Sequence, residues 1–107
     1  MKLYIVVRED LSPGQQAVQA LHAQREFTAR HPEEDLRWYS KSNTLVLLSV
    51  PDEPRLLQLL DSALERGYPV APFREPDRSD ELTALALAPV GKRLCRNLPK
   101  AFSNAER

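Results

Sequence analysis

Gln15, Gln19, His22 and Glu26 fall in one narrow stripe when the segment after Pro13 is wound at about 100° per residue. Farther along, Glu75, Asp77 and Asp80 crowd a charged stretch that Thr83 follows. Carboxamides, an imidazole, a carboxylate and a hydroxyl can position a water and polarise an ester without any covalent intermediate. A solvated helix face and a capped loop account for the same residues, so spacing alone leaves both readings open. The chain has no Gly-x-x-x-x-Gly-Lys phosphate loop, no dinucleotide fingerprint and no His-x-x-x-His pair, which removes support for nucleotide hydrolysis and zinc chemistry. Cys95 is the single cysteine, so no disulfide forms within the chain and His22 and His31 have no thiolate to share a metal with. No metal and no cofactor is expected.

Such groups need a scaffold. A chain of 107 residues supports one hydrophobic core, and 42% apolar with 28% charged residues is a globular composition, not a disordered one. Fifteen basic and fifteen acidic residues cancel. No global positive field draws the protein onto nucleic acid, and RNA binding has to come from a local patch such as Lys92, Arg93, Arg96 and Lys100. The apolar run Leu3 to Val7 is too short for a secretory or membrane segment, so the expected location is the cytoplasm and no membrane is expected as partner.

Lys2 to Val7 reads as a buried central strand. Ser12-Pro13-Gly14-Gln15 is a capping box that starts a helix at Pro13, and Pro32 ends it near His31. Its apolar side is read as Ala17, Ala20, Leu21, Gln24 and Phe27. Glu33 to Asn43 reads as a connection whose Trp38 and Tyr39 pack onto the sheet or onto the partner in a homodimer. Thr44 to Val50 is a second buried strand, followed by a helix carrying Leu56, Leu57, Leu60, Ala63 and Leu64 that stops at Gly67. Pro69 to Arg74 is an edge strand, since its prolines cannot donate to a ladder. Glu75 to Glu81 is a loop, Leu82 to Pro89 a fourth strand, and Leu94 and Leu98 suggest a short last helix. The order β-α-β-α-β-β-α predicts a single α/β domain over residues 1–102, a four-stranded mixed sheet with helices on both faces, and a polar tail over 103–107.

The segment Val6-Val7-Arg8-Glu9-Asp10-Leu11, then Gly14, Gln19 and His22-Ala23, resembles the opening signature of the archaeal and eukaryotic-type peptidyl-tRNA hydrolases. There a Val-Val-Arg-x-Asp-Leu strand leads through a glycine-containing turn into a helix bearing Ala-Ala-Gln-x-x-His-Ala. Trp38, Leu45 to Val50, Pro51-Asp52-Glu53, Gly67 and Thr83 to Pro89 also fall where that family has equivalents. The resemblance implies the same mixed α/β fold and a metal-independent hydrolase that frees tRNA by cleaving the ester between a peptide and its 3′ end. Its partner is then peptidyl-tRNA.

The resemblance also implies site residues. Gln19, Arg78 and Thr83 match the family's glutamine, arginine and threonine. The family's lysine falls on Gln15, and its Asp-Ala-Gly-Arg-Thr loop aligns with Glu75-Pro76-Asp77-Arg78-Ser79, so either Glu75 or Asp77 takes the aspartate's place. Gln19, Glu75, Asp77 and Thr83 are then the expected catalytic set; Gln15, His22 and Arg78, with Lys92 and Arg93 from the basic cluster, are the expected substrate-binding set. His22 is also read as a packing residue beside a strand. The loop before Thr83 is shorter than the family's, and its closing apolar strand is missing after Leu98. Loss of the lysine keeps a second reading open, a noncatalytic module that binds RNA or a protein on the same fold.

Overall fold

The computed structural model describes residues 1–103. β1 (Lys2–Arg8) lies inside the sheet, paired in parallel with β2 (Thr44–Val50) and antiparallel with β4 (Glu81–Leu87), and β3 (Val70–Glu75) closes the order β2-β1-β4-β3. This is the four-stranded mixed sheet expected, with β3 and its Pro72 at an edge, where a missing N–H costs no ladder bond.

Helices cover both faces. α1 (Pro13–Arg30) and α2 (Pro32–Lys41) lie on the side where Leu3, Ile5, Val7, Ala23, Phe27, Trp38, Ala84 and Ala86 form one core. α3 (Glu53–Glu65) covers the other side, where Val6, Leu48, Leu56, Leu60, Leu82, Leu85 and Leu87 form the second. Each large aliphatic or aromatic side chain fully buried this way contributes about 1.5–3 kcal/mol against the entropy of ordering the chain. Among the described residues no helix is long and apolar enough to cross a membrane.

Local chemistry sets the helix ends. Ser12 Oγ accepts from the Gln15 N–H and Asp52 Oδ1 from the Arg55 N–H, with prolines in the first turns of both helices. Gly67, at φ +71°, takes the left-handed turn that ends α3.

Four expectations need correction. Residues 33–43 are not a connection: α2 occupies Pro32–Lys41, with Glu33, Glu34 and Asp35 in its first turn and Lys41 in its last, the arrangement its dipole favours. Its single buried residue, Trp38, gives too little periodicity to read, and its indole N–H donates to Thr44 O at 2.7 Å. The inward face of α1 is Gln16, Gln19, Ala23 and Phe27, while Leu21 is left 67% exposed. Two glutamines can be buried because both carboxamides are bonded, Gln16 to Leu11 O and Gln19 within the site described below. α3 buries Leu59 and leaves Leu64 exposed. The last helix is a 3₁₀ segment, Pro89–Cys95, after which the chain returns to the outer edge of β2 in a single bridge, Leu48 to Lys100. Of the tail read over 103–107, all but Ser103 lies outside the described residues.

Candidate functional site

The site lies where α1 begins, β3 ends and β4 starts. Between β3 and β4 the register slips by one residue: Phe73 pairs with Ala84, but Arg74 pairs with Leu82. Thr83 is the extra residue. Such a bulge re-aims a side chain, and here it resets the alternation along β4, so that Leu82 and Leu85, three apart, both face the α3 core. Thr83 is left pointing at α1, fully buried, with its hydroxyl donating to Gln19 Oε1 at 2.6 Å. That bond orients the carboxamide, whose Nε2 then donates to Glu75 Oε1 at 2.9 Å.

Glu75 is the outer end of this chain. It sits half-buried on the wall of an open groove of about 600 Å³ lined by Gln15, Val18, Gln19, Glu75, Asp77 and Arg78 among others. The loop behind it is a 3₁₀ turn, Pro76–Arg78, closed by Ser79 and Asp80 in left-handed conformations, and Asp80 N–H donates to Glu75 O at 3.0 Å. Asp77 points its side chain to solvent and approaches Glu75 only through its backbone N–H, 3.5 Å from Oε2. Arg78 on the rim donates to Glu81 Oε1 at 3.3 Å.

Beneath the groove lies a charged cluster that sequence reasoning recorded as a motif and gave no role. The Arg8 guanidinium, almost fully buried, holds both oxygens of Asp10 at 2.9 and 3.0 Å and donates to Glu81 Oε1 at 2.8 Å. These hydrogen bonds to Arg8 hold the Asp10 and Glu81 carboxyls below their usual range, and the bond to Asp10 pushes the guanidinium further toward its charged form. The signal for its role was an arginine at the end of an apolar strand, a position that demands partners.

The structure thus brings together Gln15, Gln19, Glu75, Asp77, Arg78 and Thr83. Three others do not line the groove. His22 is exposed, with its ring stacked on Phe73 of β3, centroids 4.3 Å apart, a packing position beside a strand. Lys92 lines a different cavity with Met1, Lys2, Tyr4 and Arg37, at the opposite end of β1, and Arg93 follows it on the same 3₁₀ segment. Among the described residues no three His, Cys, Asp or Glu side chains converge on a cation position.

A model of the Peptidyl-tRNA hydrolase PTH2 family matches residues 1–104. The chain belongs to that family. No curated protein matches it. Among solved structures it is similar to a protein of unknown function from Agrobacterium tumefaciens strain C58, with a TM-score of 0.68 and 14% identity over 92% of this chain and 96% of that one. That likeness is one of fold. Within the peptidyl-tRNA hydrolase family this chain carries Gln15 on the groove wall, at the place the resemblance gives to a lysine.

Proposed function

We propose that the protein hydrolyses the ester joining a peptide to the 3′ end of tRNA. The observation that carries this reading is the hydrogen-bonded chain Thr83–Gln19–Glu75, which delivers an oriented carboxylate to an open groove with a guanidinium on its rim. Glu75 orients the attacking water and takes its proton as the oxygen adds to the ester carbonyl. The ribose oxygen then leaves and receives that proton. Gln15 and Arg78 face the same space and supply hydrogen bonds to the carbonyl and to the terminal phosphate. Thr83, having no exposed surface, acts through Gln19 as a positioning residue.

Asp77 belongs to the rim in this reading. Lys92 and Arg93 are assigned to phosphates remote from the scissile ester, contacts that raise affinity in a salt-dependent way and leave the chemical step unaffected. The substrate is peptidyl-tRNA and no cofactor is required.

The test is release of labelled N-acetylaminoacyl groups from tRNA by protein free of host hydrolase. Turnover is expected. A folded wild type that releases nothing, yet binds tRNA in a salt-sensitive fluorescence titration, would instead establish the binding module that the uncharged Gln15 favours.

A further inference from the structure

Leu82 separates Glu81 from Thr83, and its backbone is held in an unusual way. The β1–β4 ladder ends at Val7 and Ala84, so Leu82 has no strand partner on the β1 side. Two side chains from different elements take the partner's place. Glu53 Oε2, at the start of α3, accepts from the Leu82 N–H at 2.7 Å, and Arg8 Nη1 donates to Leu82 O at 3.2 Å. The same Nη1 reaches Glu81, whose Oε1 is shared with Arg78 on the groove rim. Glu53 is well placed for this, since a carboxylate is favoured in the first turn of a helix.

We propose that Arg8 and Glu53 form a clamp on Leu82 that holds the β4 bulge in the register that turns Thr83 toward Gln19. Both are positioning residues, in an inference that rests on the function proposed above. The physical reason is the period of a strand: a slip by one residue exchanges faces. Released from the clamp, the start of β4 exchanges Leu82, fully buried against α3, with Thr83, fully buried against α1. The hydroxyl then leaves Gln19, and the carboxamide no longer orients Glu75.

The test compares Glu53→Ala, Glu53→Gln and Arg8→Lys with wild type by NMR of the Gln19 side-chain amide and by steady-state hydrolysis of peptidyl-tRNA. In Glu53→Ala and Arg8→Lys the Gln19 amide signals are expected to move and broaden while backbone signals of Leu3 to Val6 stay in place. kcat is expected to fall about tenfold to a hundredfold, the scale of a misplaced catalytic group, with KM little changed. Glu53→Gln keeps an acceptor oxygen for Leu82 and is expected to restore both readouts. Unchanged Gln19 signals and unchanged kcat in a folded Glu53→Ala protein would overturn the clamp, and that variant decides if Arg8→Lys does not fold. If wild type shows no turnover, the proposed reaction fails, and the Gln19 signals alone still support or overturn the clamp.

Discussion

The Thr83 hydroxyl donates to Gln19 Oε1 across 2.6 Å, joining the first helix to the last strand through residues 64 apart in sequence. The bond has a direction: with Oε1 taken by Thr83, Gln19 has only its N–H groups to offer Glu75.

Replacing Thr83 by valine keeps the shape and removes the donor. A buried Gln19 oxygen is then unsatisfied, which costs about 1–3 kcal/mol. Denaturant unfolding should show this loss in Thr83→Val and little of it in Thr83→Ser. Peptide release should fall with the same ranking, and a fully active Thr83→Val would remove Thr83 from the mechanism.

Glu75 and Asp77 should separate cleanly. Glu75→Gln is expected to lower kcat by about 10²- to 10⁴-fold, the range of general base catalysis. Asp77→Ala, which removes a solvent-facing group bonded through its backbone, is expected to leave kcat within a few-fold of wild type. The reverse ranking would pass the role of the family's aspartate to Asp77.

Acid stability should depend on Asp10. Because Arg8 depresses its folded-state pKa, the pair's contribution is complete above the unfolded value of about 3.9 and is lost as pH falls through the lower folded value. Thermal unfolding followed downward from pH 6 should therefore decline more steeply for wild type than for Asp10→Asn. Parallel curves would mean that the pair adds nothing to stability, as many partly exposed ion pairs do.

Gly91 is required by a close approach. A Cβ there would stand 2.6 Å from Leu87 Cδ2 and 2.7 Å from Cγ, and Leu87 is fully buried. Gly91→Ala should destabilise by about 1–3 kcal/mol, the usual cost of overpacking, with the denaturant midpoint as readout. Gly14→Ala, where nothing lies within 4 Å, serves as the contrast.

What the sequence alone determined is what neighbours in the chain decide. Leu3 to Val7 and Thr44 to Val50 are apolar runs between polar ends, Ser12 and Asp52 cap their own helices, and Gly67 and Pro32 stop elements on backbone grounds. The motif from Val6 to Ala23 placed Gln19 in a family pattern, and the loop Glu75 to Ser79 and the strand after it placed Arg78 and Thr83. The tertiary structure decided the rest. α2 is docked by one tryptophan on a core built from other elements, and Gln19 can be buried on the inward face of α1 because Thr83 and Glu75 satisfy its carboxamide. The bond from Gln19 to Glu75, the bulge at Thr83, the Arg8 and Glu53 bonds to Leu82 and the separation of Lys92 from the groove all depend on groups many residues apart. A hydrogen bond between such groups leaves no periodic trace in either segment, because period reports burial against solvent and says nothing of which buried partner is met.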